Sequence, residues 1–83
     1  MALFFIDYDL RNQRSYQPLY DELARLGARH ILESVWSLER QNTNTTALRN
    51  YFKRFIDEDD GLCVTQVVDW ATRNTNQTPQ VLR

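Results

Sequence analysis

Cysteine occurs once, at Cys63, so no disulfide can close within the chain. A disulfide-stapled secreted scaffold is thereby excluded, and a reducing, cytoplasmic setting is expected. Long apolar runs are also missing. The N-terminal run, Ala2 to Ile6, is too short for a signal peptide and meets Asp7 instead of a small-residue cleavage site, so no membrane targeting is expected. Glycine and proline occur only twice each, and neither interrupts residues 28–39. A surplus of positive charge is lacking too: the net charge is −1, which argues against binding nucleic acid through bulk charge. With 83 residues the chain holds one thin core, and burial of a face against a second copy is a reasonable source of further stability.

What is present is apolar enough to fold, at 42% hydrophobic and 12% aromatic residues. The charge is unevenly spread. Residues 1–56 carry eight basic against six acidic groups, a balance of +2, and the acidic excess comes from Asp57, Glu58, Asp59 and Asp60. Nine of the ten basic residues are arginine, whose planar fork suits carboxylate or phosphate.

Residues 3–10 are aromatic and β-branched without a helical period and predict a buried strand. Alternation puts Phe4, Ile6, Tyr8 and Leu10 on one face and Leu3, Phe5, Asp7 and Asp9 on the other. Ser15 is a candidate cap for a helix with Pro18 in its first turn; Tyr16, Leu19, Tyr20, Leu23 and Leu26 follow helical spacing, and Gly27 stops it. Residues 28–39 read as one long bent strand or two strands tightly joined, and 41–46 as a polar loop ending in caps. A second helical stripe runs through Leu48, Tyr51, Phe52, Phe55 and Ile56, ended by Asp57 to Gly61, and Leu62–Val68 is a further β-branched strand. Asp57 to Asp60 read as a solvated helix end. From Ala71 the chain is polar and aperiodic, so the tail is expected to be mobile or docked.

The order strand, helix, strand, strand, helix, strand is the split βαβ of a ferredoxin-like α+β domain over residues 1–70: a four-stranded antiparallel sheet with both helices on one face, plus a tail over 71–83. The opposite face is left bare, Leu3 and Phe5 included, and a second subunit is its expected cover.

Tyr8-Asp9-Leu10 at the end of the first strand and Glu33-Ser34-Val35-Trp36 in the middle resemble the small CRISPR-associated Cas two family, whose members end that strand in Tyr-Asp-Ile or a close variant and carry Lys/Gln-Ser-Val-Phe at the second position. Val68-Asp69-Trp70 is similar to the strand end of the related virulence-associated protein D family. The resemblance spans residues 3–70. It implies a homodimer in which the first-strand aspartates of two subunits hold a divalent metal, Mg2+ or Mn2+, with Asp9 at the matching position. It further implies either a metal-dependent endonuclease acting on RNA or DNA, or a non-catalytic scaffold that holds nucleic acid and an integrase-like partner in CRISPR adaptation and antiviral defence. The family's basic position ahead of the aromatic falls on His30, beside Arg29.

The residues permit more than one role each. Asp7 and Asp9 lie about 6.5–7 Å apart on one strand face, close enough for hard oxygen ligands to share a metal. Alternatively Asp7 pairs with an arginine and Asp9 caps a turn. Arg11 and Arg14 either grip phosphate or stay solvated. Ser34 is a candidate hydrogen-bonding catalytic residue. Trp36 either stacks on a base, with Arg29 as a further nucleic-acid contact, or belongs to the core. His30 and Cys63 have no partner at metal or nucleophile spacing and read as structural. Val81 and Leu82 are positioned to pin the tail to a partner sheet.

Overall fold

The computed structural model describes residues 1–81. Strand β1 (Ala2–Asp9) is followed by α1 (Gln17–Arg25), β2 (Arg29–Leu32), β3 (Val35–Arg40), α2 (Thr45–Phe52) with a 3-10 turn over Lys53–Phe55, and β4 (Gly61–Val67). The sheet order β2-β3-β1-β4 with every pairing antiparallel is the ferredoxin-like arrangement, and it puts β1 at the centre.

Local chemistry explains the boundaries. Pro18 sits in the first turn of α1, where its missing N–H leaves no bond unmade. Tyr16 is the residue that opens the helix, while Ser15 Oγ accepts from the Gln17 N–H at 3.3 Å. At the other end Gly27 has φ of +80°, and the pair of bonds Gly27 N–H to Ala24 C=O and Ala28 N–H to Leu23 C=O forms a Schellman stop. Asn44 caps α2, its Oδ1 accepting from the Ala47 N–H at 2.8 Å. Residues 28–39 form two strands, not one, turned at Glu33-Ser34 and irregular between His30 and Leu32.

The main core lies between the helices and one sheet face: Phe4, Ile6, Tyr8, Leu19, Leu23, Trp36, Leu38, Leu48 and Phe52 are all buried there. The helices are also tied by polar groups. Tyr51 of α2 donates its phenol O–H to Glu22 of α1, which takes two further bonds from Arg25 at 2.7 Å. Arg25 first and Tyr51 second pull the Glu22 carboxyl down to about 2.

The opposite face is not bare. Leu3, Ile31, Ser37, Val67 and Pro79 are buried outside the main core. The chain's own tail supplies cover on the β2–β3 side. The Asn76 N–H donates to the Ile31 carbonyl at 2.9 Å, Arg29 Nη1 to the Thr78 carbonyl at 3.2 Å, and Ser37 Oγ to Gln80 Oε1 at 2.6 Å. The tail is therefore docked on its own sheet, a correction to the expectation that this face needs a second subunit along its whole width. Ser37 explains the exchange: a fully buried hydroxyl in a strand needs a polar partner, and Gln80 provides it. Val81 is exposed, and Leu82 lies outside the described residues. The β1–β4 half stays open, with Asp9, Cys63 and Thr65 exposed and Phe5 and Asp7 half-buried. Among the described residues no helix is long and apolar enough to cross a membrane.

Candidate functional site

Asp7 and Asp9 leave the end of β1 on this open face. Asp7 stands opposite Val35 on one side and Cys63 on the other, and Asp9 opposite Gly61. The Asp7 carboxyl is half-buried, makes no hydrogen bond or ion pair among the described residues, and burial pushes its pKa above the ordinary value. Asp9 is exposed and ion-paired with Arg11 Nε at 3.3 Å. Between them and Gly61 and Cys63 lies a shallow cavity of about 270 Å³. Gly61 packs closely here: a Cβ there would lie 3.2 Å from the Arg11 guanidinium and 3.3 Å from the Asp9 Cβ. Two carboxylates from one chain are the limit. No group of three or more His, Cys, Asp or Glu side chains able to hold a metal occurs among the described residues.

Arg11 and Arg14 are exposed, and both also hold the acidic loop to the β1 end. The Arg11 N–H donates to Asp60 Oδ1 at 2.7 Å and its Nη1 to the Asp59 carbonyl at 2.6 Å, while Arg14 Nη1 reaches Asp57 Oδ1 at 2.5 Å. Asn12, which sequence reasoning passed over, bridges the same loop through Nδ2 to Asp57 at 2.9 Å and Asp59 at 2.7 Å. Burial works against the Asp60 charge, but backbone N–H groups of Arg11 and Asp57 outweigh it and hold the carboxyl below its ordinary pKa. Asp57 and Asp60 are thus half-buried anchors of a structured acidic loop, while Glu58 and Asp59 stay exposed, as a solvated helix end would have them. Segments that look separate in sequence, residues 11–14 and 57–60, are thus joined in space by the ion pair of Arg14 with Asp57 and by hydrogen bonds from Arg11 and Asn12.

The remaining candidates separate. Arg29 holds the tail carbonyls of Thr78 and Pro79 and lies on the far side of the sheet from Asp9's strand neighbour β4. Trp36 is only 7% exposed, stacks on His30 at 4.3 Å between ring centroids, and donates its indole N–H to Tyr8 Oη at 3.0 Å. It is a core residue, not an open platform for a base. Ser34 lies exposed in the β2–β3 turn, and its carbonyl accepts from the Tyr8 N–H at 3.1 Å. That turn brings together Tyr8, Tyr20 and Glu33, which the sequence places in a motif or a helical stripe but not among the candidate site residues. Two signals point there: the strand alternation that sets Tyr8 on the helix side next to Asp9, and the motifs Tyr8-Asp9-Leu10 and Glu33-Ser34-Val35-Trp36.

No family model matches the chain, and no solved structure matches it.

Proposed function

We propose that this chain is the subunit of a homodimeric, metal-dependent endonuclease of the Cas two and virulence-associated protein D type, cleaving RNA or DNA in the cytoplasm as part of antiviral defence. The observation that carries this reading is Asp7: a half-buried carboxylate without a partner, beside the exposed Asp9, on the half of the sheet that the tail leaves open. An ionised carboxylate in that setting is costly unless a cation or a donor reaches it. Asp7 and Asp9 would hold Mg2+ or Mn2+, cations that favour one or two carboxylates and retain several waters. A metal held there would supply polarisation of a phosphodiester and activation of water. A second copy on the open β1–β4 half adds its own Asp7 and Asp9, which suits a ligand set that is incomplete within one chain.

A specific observation favours a second reading, the non-catalytic scaffold for nucleic acid and an integrase-like partner. Arg11 and Arg14, the basic groups nearest the aspartates, are already engaged by Asp57, Asp59 and Asp60, which leaves little to place a phosphate. Cleavage of labelled single-stranded RNA and duplex DNA with Mg2+ or Mn2+ separates the two. The nuclease reading expects metal-dependent cleavage that Asp9→Ala abolishes and Asp7→Ala weakens. Absence of cleavage on both substrates, with a stable dimer that still binds duplex, refutes it in favour of the scaffold.

A further inference from the structure

The β2–β3 turn is held rigidly against the end of β1. Tyr8 grips it twice, by its backbone N–H to the Ser34 carbonyl at 3.1 Å and by its phenol to the Glu33 carbonyl at 3.3 Å. His30 Nε2 lies 3.0 Å from the same Glu33 carbonyl, and the Trp36 indole fixes the Tyr8 oxygen from behind. These bonds shape a cleft of about 330 Å³ lined by Tyr8, Asp9, Leu10, Tyr20, Glu33 and Ser34. A volume of that order is at the small end of ligand sites, which run from roughly 300 Å³ upward.

The lining chemistry selects the ligand. It holds two carboxylates and two phenol rings, whose centroids are 6.2 Å apart at 42°, and no cationic side chain. Asp9 is already paired with Arg11, whereas Glu33 is exposed and forms no ion pair among the described residues. Such a lining repels phosphate. We infer that this cleft binds an organic cation, a guanidinium or primary ammonium on a short alkyl stem, with the charge on Glu33 and the stem or cation against the Tyr20 ring. Carboxylate pairing and the negative face of an aromatic ring both favour such a group, and pre-organised walls reduce the ordering cost. Asp9 lines both this cleft and the candidate metal site, but the groups assigned to the cation, Glu33 and Tyr20, take no part in the proposed nuclease chemistry, so their variants test the cleft separately.

A free amine and a lysine or arginine side chain of a peptide share this chemistry, so both are tested. Agmatine and, separately, an acetylated and amidated Gly-Arg-Gly peptide are titrated into the full chain, reading the amide NMR shifts of Tyr20, Glu33 and Ser34. Saturable shifts with a Kd of about 1 mM or tighter are expected from at least one of them. Agmatine alone would assign a free amine, and tighter binding of the peptide would assign a side chain. Glu33→Gln and Tyr20→Leu should each weaken binding by about tenfold or more, and uncharged butylurea should not bind. Glu33→Gln retains the backbone carbonyl that holds the turn, so the fold is preserved, which circular dichroism checks. The inference is overturned if neither cation gives saturable shifts, if butylurea binds equally, if Glu33→Gln binds unchanged, or if Mg2+ alone displaces the cation stoichiometrically.

Discussion

Removing one oxygen, in Tyr8→Phe, tests how the β1 end is held. That oxygen is buried with its ring, accepts from Trp36 Nε1 at 3.0 Å, and donates to the Glu33 carbonyl at 3.3 Å. After the substitution Glu33 keeps a partner in His30, 3.0 Å away, but the indole N–H has no other acceptor and sits on a residue that is 7% exposed. Leaving a buried donor unsatisfied costs about 1–3 kcal/mol, and the apolar ring itself is retained, so no cavity larger than the missing oxygen is added. For a domain of this size each kcal/mol lowers Tm by about 4–8 °C, so a fall of roughly 4–24 °C is expected. Urea and thermal unfolding, followed by circular dichroism and by indole fluorescence in a Trp70→Phe background, measure it. A double-mutant cycle with Trp36→Phe isolates the bond: Tyr8→Phe should cost less by about 1 kcal/mol or more once the indole is gone. A Tyr8→Phe variant within about 0.5 kcal/mol of the parent, or a cycle without coupling, refutes the reasoning.

Two further outcomes follow from the tie between the helices and from the tail. The Glu22 carboxyl is lowered from 4.5 to about 2 by Arg25 and then Tyr51, so its contribution to stability is complete above pH 4.5 and is lost as pH falls toward about 2. Glu22→Gln should flatten the acid limb of a stability-against-pH curve in that window, and an unchanged limb contradicts the assignment. Truncation after Trp70 removes Pro79 and Gln80 and uncovers Ile31 and Ser37. A loss of about 2–4 kcal/mol is expected from one uncovered aliphatic and one orphaned hydroxyl, read by urea unfolding together with new binding of a hydrophobic dye; a truncated chain as stable as the parent and without dye binding would show that the tail is no part of the fold.

Much of the fold is legible in sequence because its signals are local. The 2-residue alternation of β1 assigns Phe4, Ile6 and Tyr8 to one face correctly, and the helical stripe from Leu19 to Leu26 with Gly27 after it locates α1 and its stop. The candidate site is legible only in part. Asp7 and Asp9 share a face by alternation alone, whereas the fate of Arg11, Arg14 and Trp36 depends on groups 48, 43 and 28 residues away in the chain. No periodicity encodes such distant partners.

The tail makes the same point in the other direction. Residues 71–80 have no period because they form neither helix nor strand, and their hydrogen bonds run to the edge carbonyl of Ile31, to Arg29 and to Ser37. Sequence by itself determined the order of elements, the stop of α1 at Gly27 and the two faces of the central strand, since each follows from the backbone preferences and side-chain pattern of neighbouring residues. It did not determine the start of α1, which opens at Tyr16 without the Ser15 cap. Only the tertiary structure decided which charges cancel, which aromatic rings are buried, what covers the second face and where the Glu33 cleft opens. Those outcomes rest on the satisfaction of polar groups and the packing of surfaces that meet only after the chain has folded.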